Sequence, residues 1–231
     1  MKILVLNGSP KGDNSITLQT VLYLEKIYPE SHFQILNVGQ RIKALEKDFS
    51  PAMEALSQAD VLLFSYPVYT FVAPCQLHRF MELMKEHKVP VKNKFATQLT
   101  TSKHFYDVTA HRYIQDNCQD MGMKFVKGLS ADMEDLISKK GQQEAIAFWK
   151  HFLWCVETDS YEPCYLKQTL PVHKPVTLPA SEQTSASLQP SAKKEGDVVI
   201  VADYTAADTQ LLAMIERFKQ VLPIKSRVVN I

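Results

Sequence analysis

The chain lacks both a long apolar run and an excess of charge of either sign. Of its 231 residues, 26 are Lys or Arg and 25 are Asp or Glu, which leaves a net charge of +1. Such an even balance gives no indication of a charged surface for nucleic acid or membrane. No apolar stretch reaches the roughly 20 residues that span a bilayer, and the N-terminus begins with a strand pattern rather than a signal peptide. We therefore expect a cytoplasmic protein that binds neither nucleic acid nor membrane.

Cysteine is scarce and scattered. The four cysteines are far apart and form no C-x-x-C pair; they are Cys75, Cys118, Cys155 and Cys164. Zinc and iron–sulfur sites require closely spaced thiolates, so we expect no metal site. The simplest interpretation is that these residues are structural thiols in a reducing compartment.

Two common nucleotide-binding motifs are also missing. The absence of G-x-x-x-x-G-K-[ST] excludes a Walker A loop. There is no G-x-G-x-x-G, and the second predicted strand ends in Leu36-Asn37-Val38 without an acid to hold a ribose, so a dinucleotide Rossmann site is not expected. The first strand ends in Asn7-Gly8-Ser9 rather than an aspartate, which argues against a phosphorylated receiver domain.

Residues 1–24 carry the strongest pattern in the chain. An apolar run at residues 3–6 predicts a buried strand, and residues 16–24 have apolar positions at helical spacing. The loop between them is rich in small and polar residues. A helix N-terminus after such a loop attracts anions, because its first N–H groups have no internal partner. We interpret the loop as a phosphate site, with a well-capped βα turn that binds nothing as the alternative.

The remaining sequence alternates strand and helix patterns, which is typical of a parallel sheet with crossover helices. The predicted strands are 2–7, 31–38, 60–66, 94–100 and 123–129. The predicted helices are 15–28, 51–58, 74–87, 108–121 and one from about 132 to 156 that breaks near Gly141, with a polar stretch at 39–49. This alternation predicts an α/β fold and matches the flavodoxin-like doubly wound five-stranded parallel sheet, whose strand order 2-1-3-4-5 comes with that fold rather than from the residues.

A change of composition divides the chain after this pattern. We expect a flavodoxin-like domain at 1–158, a proline-rich linker at 159–196, and a C-terminal β-α-β addition at 197–231. A single β-α-β unit buries little core by itself. Docking on the main domain, pairing with another chain, and the start of a further domain all remain open.

Ligands of doubly wound sheets bind beyond the carboxyl ends of the strands. Three loops of the predicted sheet meet there: residues 9–15, residues 65–74 with Tyr66, Tyr69 and Phe71, and residues 100–106. A phosphate cradle beside aromatic and hydroxyl side chains suits a flat ring with a phosphate tail, such as flavin mononucleotide (FMN). The alternative is that these aromatic residues only cover the top of the core.

Two segments resemble a known family. Residues 7–15 (NGSPKGDNS) and 59–69 (ADVLLFSYPVY), followed by QLHRF at 76–80, resemble the NADPH-dependent FMN reductase and flavodoxin-like NAD(P)H oxidoreductase family. The resemblance covers about residues 1–130. It implies an oxidoreductase with FMN as cofactor and NAD(P)H as co-substrate, which passes electrons to a small-molecule or protein acceptor.

The resemblance also implies cofactor-binding residues, but no catalytic residue. Those around the FMN phosphate would be Ser9, Lys11, Asn14 and Ser15. Those bordering the isoalloxazine ring would be Pro67, Val68, Tyr69 and Thr70 on one side and Thr101 and Ser102 on the other.

The chain departs from the family pattern in both ring loops. Lys103-His104 stands where many members have Gly-Gly, and Thr70-Phe71 stands where many have Trp or Gly. This bulk would narrow access to the flavin. Alternative functions are a flavodoxin-type electron carrier, which the even charge balance argues against, and a non-catalytic flavin-binding module. A homodimer is also left open.

Overall fold

We analysed the protein as a computed structural model, which describes residues 1–103, 107–164, 198–221 and 225–231. The chain forms two compact units, Met1–Lys167 and Gln168–Ile231. Among the described residues, no helix is long and apolar enough to cross a membrane.

A parallel sheet forms the centre of the first unit. Its strands are β1 (Lys2–Asn7), β2 (His32–Leu36), β3 (Val61–Pro67), β4 (Phe95–Ser102), β5 (Lys124–Phe125) and β6 (Leu129–Asp132). The order is β2-β1-β3-β4-β5, and all of the pairings are parallel, which confirms the predicted fold. Leu4 and Leu6 of β1 pack into one core cluster and Ile3 and Val5 into another. The sheet is therefore covered on both faces, as a parallel sheet requires.

The fifth strand differs from the prediction, because the single strand expected at 123–129 is two short strands that both pair with β4. Phe95 pairs with Lys124, but Leu99 pairs with Leu129, so one extra residue lies between the two segments. An insertion of this kind is a bulge. Gly128 permits it, because a Cβ there would lie 2.2 Å from the carbonyl oxygen of Gln98. The predicted five strands are therefore six.

Helices cover both faces of the sheet. They are α1 (Ile16–Ile27), α2 (Val38–Lys47), α3 (Ser50–Gln58), α4 (Cys75–Glu86), α5 (Val108–Asp120) and α6 (Lys139–Glu157), with 3-10 turns at Gly12–Asn14 and Asp135–Ile137. Helices α2 to α5 pack on one face and α1 and α6 on the other.

Two helix predictions were wrong. The polar stretch predicted at 39–49 contains α2, whose Val38, Ile42 and Leu45 face the core at helical spacing. Gly39 and the surrounding polar residues hid this pattern. The last helix, predicted from about 132 with a break near Gly141, begins only at Lys139. Ser138 caps it by accepting a hydrogen bond from Gly141 N, so the glycine lies in the first turn and there is no break.

Only two of the four cysteines are buried, as the interpretation as structural thiols requires. All four are free. Cys118 and Cys155 are buried, as structural thiols would be, but Cys75 and Cys164 are exposed, so the interpretation is wrong for these two.

The second unit contains the predicted β-α-β pattern. Strands β7 (Val198–Ala202) and β8 (Ser226–Asn230) pair in parallel, and α7 (Thr209–Val221) connects them. Of the linker predicted at 159–196, residues 165–196 lie outside the described residues. Glu162 N donates to the carbonyl oxygen of Phe125, so the start of that segment runs along β5. The domain boundaries stay predictions.

Two threonines of β4 offer a test of the hydrogen bonding inside the sheet. Thr97 and Thr100 are both fully buried. Within the described part of the chain the Thr97 hydroxyl has no hydrogen-bond partner, whereas Thr100 Oγ1 lies 2.8 Å from His111 Nε2. We expect Thr97→Val to raise the free energy of unfolding by about 1 kcal/mol, since valine keeps the shape and removes an unpaired polar group. Thr100→Val should lower it by about 1–3 kcal/mol.

Urea denaturation of the two variants and the wild type would measure both changes. Because the variants make the same chemical change on the same strand, each serves as the control for the other. A larger loss of stability for Thr97→Val than for Thr100→Val would contradict this pattern of hydrogen bonds.

Candidate active site

The loop after β1 is held over the end of the strand by one buried side chain. Asn7 Nδ2 donates to the carbonyl oxygen of Gly12 at 3.0 Å and to Asn37 Oδ1 at 2.8 Å, and its Oδ1 accepts from Ser9 N at 3.2 Å. These bonds satisfy both ends of the amide. Asn7 thus fixes the loop at two points and links it to the end of β2.

Helix α2 supports the same loop from outside. A Cβ at Gly39 would lie 2.3 Å from the carbonyl oxygen of Ser9, so the helix backbone approaches the loop as closely as glycine permits. Gly12 has φ +54, and a Cβ there would overlap the side chain of Gln40. Asn37 Nδ2 donates to Asp13 Oδ1 at 2.8 Å. The sequence pattern did not indicate this support, because α2 was not predicted.

The loop leads into the N-terminus of α1. Ser15 is the N-cap, and its side chain accepts from Leu18 N. The N–H groups of Ile16 and Thr17, at the first two helical positions, have no acceptor within the helix. Ser9 Oγ accepts from Lys11 N at 3.2 Å, which folds the loop back on itself. The positive end of the helix dipole, hydroxyl groups and a lysine therefore meet at one place that suits an anion.

A cleft of about 260 Å³ adjoins this place, slightly below the roughly 300–1,000 Å³ typical of small-molecule sites. Nine of the ten predicted cofactor residues line it; Asn14, in the neighbouring 3-10 turn, does not. The predicted residues in the lining are Ser9, Lys11, Ser15, Pro67, Val68, Tyr69, Thr70, Thr101 and Ser102. The three loops expected to meet at this edge of the sheet are thus brought together.

Four further residues line the cleft that were not predicted to bind the cofactor: Ile16, Thr17, Lys103 and Met133. Lys103 was expected as bulk beside the opening. Thr17 Oγ1 lies 2.6 Å from Thr101 Oγ1. Met133 follows β6, and its N–H donates to the carbonyl oxygen of Ser102 at 3.1 Å. It was missed because the predicted fifth strand ended at residue 129.

The cleft wall formed by residues 67–70 continues into a strained turn. Tyr69 and Val72 exchange both backbone hydrogen bonds, at 3.0 and 3.2 Å, around Thr70 and Phe71. Both of these central residues have positive φ, 46° and 76°. Two-residue turns with this geometry normally contain Asn and Gly, because other side chains are disfavoured there. Non-glycine residues held in this conformation are often found at functional sites.

The predicted aromatic residues divide between core and cleft. Tyr66 is fully buried, and its hydroxyl donates to Gln98 Oε1 at 2.6 Å, so it belongs to the core. Burial raises its pKa well above the ordinary tyrosine value. Tyr69 lines the cleft, and Phe71 is partly exposed in the adjoining turn. His104, Phe105 and Tyr106 lie outside the described residues.

An ion pair lies at the edge of the cleft, where Lys103 is one of the lining residues. Lys103 Nζ lies 2.6 Å from Glu134 Oε1, and this hydrogen bond raises the pKa of Lys103 above its ordinary value. Lys103 therefore remains cationic at neutral pH. Both side chains are largely exposed, so the pair contributes charge to the wall rather than stability.

Several solved structures share this architecture. An NADH:FMN oxidoreductase (EMOB, apo form) is 20% identical with a TM-score of 0.54, over 65% of this chain and 87% of that one. An NADPH-quinone reductase from P. pentosaceus is 14% identical with a TM-score of 0.51, over 65% and 97%. An NAD(P)H:quinone oxidoreductase from Methanothermobacter marburgensis is 11% identical with a TM-score of 0.52, over 68% and 96%. At these identities the likeness shows the fold.

The family comparison is more informative. No curated protein matches the chain by sequence. The sequence model of the NADPH-dependent FMN reductases matches residues 1–132, more than half of the 231 residues, and that segment contains β1, β3, β4 and the loops that line the cleft. The chain therefore belongs to the NADPH-dependent FMN reductase family, whose flavin enzymes use FMN with NAD(P)H as the electron donor.

Proposed function

We propose that this chain binds FMN in the cleft, takes hydride from NAD(P)H and passes the electrons to a separate acceptor. The observation that carries the proposal is that one cleft joins a hydroxyl-rich helix N-terminus to a slot between two loops. The acceptor, a small molecule or a protein, and a homodimeric assembly stay predictions.

The donor chemistry of the first end of the cleft suits a phosphate. Ser9, Lys11 and Ser15 line it, and the free N–H groups at the start of α1 lie beside them. Hydrogen bonds between such donors and a charged phosphate are about twice as strong as neutral ones. Asn14 does not line the cleft, so its role in this proposal is to shape the turn rather than to contact the phosphate.

The other end of the cleft suits a flat ring. Pro67, Val68 and Met133 offer apolar surface, while Thr101 and Ser102 offer polar groups for ring edges. Val68 N donates to the carbonyl oxygen of Thr101 at 3.0 Å, so the two walls are joined by a backbone hydrogen bond. Bound FMN would supply the hydride-accepting chemistry, while the protein binds, orients and shields it.

The charge of Lys103 favours flavin reduction in this proposal. Reduction adds negative charge to the ring system, and a nearby ammonium group stabilises that charge. Glu134 holds the lysine in place and partly offsets its field. Because both groups meet solvent, the net effect is modest and decreases with added salt.

The turn at Thr70 and Phe71 limits access by the nicotinamide. A hydride donor must stack against the open face of the ring, and this turn adjoins the ring-side lining. The backbone hydrogen bonds that close the turn keep the bulky Phe71 beside the opening. We therefore expect NAD(P)H to reduce the bound FMN slowly.

Removal of the phosphate contacts tests the binding mode. Lys11→Ala and Ser15→Ala should each weaken FMN binding by about 1.5–3 kcal/mol, or roughly ten- to a hundred-fold, because each removes one charge-assisted contact. Fluorescence titration with FMN measures the change. Lys26→Ala, in the last turn of α1, is the matched control and should bind normally. Normal binding by both test variants would refute this phosphate site.

Anaerobic reduction tests the activity. We expect NADPH or NADH to bleach the flavin absorbance of the FMN-loaded protein, because the nicotinamide can reach one face of the ring. Stopped-flow absorbance gives the rate, and dithionite provides the control for a fully reducible flavin. If dithionite bleaches the flavin and neither nicotinamide does, the chain is an electron carrier or a flavin-binding module instead.

Two substitutions at Phe71 separate backbone strain from side-chain bulk. Phe71→Gly and Phe71→Ala both remove the ring, so both should be reduced by NAD(P)H faster than the wild type. Only glycine is relaxed at positive φ, so the Gly variant should be more stable than the Ala variant by about 1 kcal/mol. Urea denaturation and stopped-flow reduction measure the two effects. An Ala variant at least as stable as the Gly variant would contradict the strain at this position.

A further inference from the structure

Two threonine hydroxyls meet at the cleft from distant parts of the chain. Thr17 lies in the first turn of α1 and Thr101 near the end of β4, and their Oγ1 atoms are 2.6 Å apart. Both residues line the cleft, yet their solvent-exposed fractions are 0% for Thr17 and 4% for Thr101. The pair is therefore a buried polar contact that borders the space for a ligand.

A count of protons shows that this contact is incomplete. Each hydroxyl carries one proton to donate, and the bond between the two threonines uses one of these protons. Neither hydroxyl bonds to any other group in the part of the chain that the structure describes. One buried proton is thus left without an acceptor, although buried donors are nearly always paired. A ligand with an acceptor atom at this position would complete the pair.

Burial and the helix dipole indicate which threonine keeps the spare proton. Thr17 has no exposed surface, whereas Thr101 retains a little. The positive end of the α1 dipole also turns the Thr17 hydroxyl proton away from the helix and toward Thr101. In the arrangement that these two features favour, Thr17 donates to Thr101, and the proton of Thr101 is left for the cleft.

We propose that Thr101 donates this hydrogen bond to an acceptor atom on the edge of the bound flavin ring, and that Thr17 is a positioning residue that fixes the Thr101 hydroxyl. This inference rests on the proposed function, since it requires FMN in the cleft. Acceptor atoms of the ring gain negative charge on reduction, so the bond is stronger to reduced than to oxidised flavin. The pair thereby raises the midpoint potential of the flavin.

Isosteric substitutions test the two roles. Thr101→Val should weaken the binding of oxidised FMN roughly three- to ten-fold, as expected for one neutral hydrogen bond. It should also shift the midpoint potential to a more negative value. Thr17→Val should shift the potential in the same direction by less, because Thr101 keeps its proton but loses its orientation. Fluorescence titration gives the affinity, and equilibration with a reference dye gives the potential.

Three control variants make the result specific. Thr101→Ser and Thr17→Ser keep the hydroxyl and should retain the wild-type affinity and potential. Thr97→Val makes the same change elsewhere on β4, at a residue that does not line the cleft, and should leave both values unchanged. Thermal melts of all variants identify any loss of folding. If a Val variant is unfolded, the Ser variants decide the outcome, because a weaker FMN affinity or a changed midpoint potential in a folded Ser variant would overturn the inference.

The outcomes distinguish this inference from the proposed function. If the wild type does not bind FMN, the proposed function fails and the inference fails with it. If the wild type binds FMN and Thr101→Val matches it in affinity and potential, only the inference is overturned. An effect of Thr17→Val larger than that of Thr101→Val would overturn the assignment of the donor. An equal effect of Thr97→Val would show a general packing defect instead.

Discussion

A parallel sheet must be buried on both faces, and this constraint organises the protein. Each crossover places a helix on one face or the other, so the strands themselves become apolar throughout. β1 and β3 are buried along almost their full lengths, and core clusters lie on both sides of them. Because every strand points the same way, the loops that carry polar groups after β1, β3 and β4 leave the sheet at one edge. The cleft is a consequence of that arrangement.

Rigid backbone contacts keep the loops of this edge in position. Asn7 fixes the first loop through hydrogen bonds to three other residues, and Gly39 lets α2 press against it. The second and third loops are joined where Val68 N donates to the carbonyl oxygen of Thr101. A site built in this way is formed before its ligand arrives, which lowers the entropy lost on binding.

The backbone at the opening of the cleft is strained, unlike the well-supported loops behind it. Thr70 and Phe71 hold a conformation that glycine would adopt more easily, and Lys103 is bound to Glu134 where a smaller residue would leave more space. Such features persist only where the surrounding structure enforces them. They distinguish this chain from the pattern that the sequence resembles, and in the proposed function they lie where a second substrate would approach the flavin.

The sequence by itself determined the alternation of strands and helices and the helix that follows the first loop, because apolar periodicity and turn composition are local signals. The strand order came with the fold that this alternation matches, and most of the residues that line the cleft came from the resemblance to the family. The sequence did not reveal α2, because most residues of this helix are polar and only Val38, Ile42 and Leu45 mark its core-facing side. The bulge at Gly128 lies against a carbonyl group of β4, and Met133 lines the cleft directly after β6, the strand that follows the bulge. Contacts of this kind, like the hydroxyl pair whose members are 84 positions apart, have no local signal, so only the tertiary structure decided them.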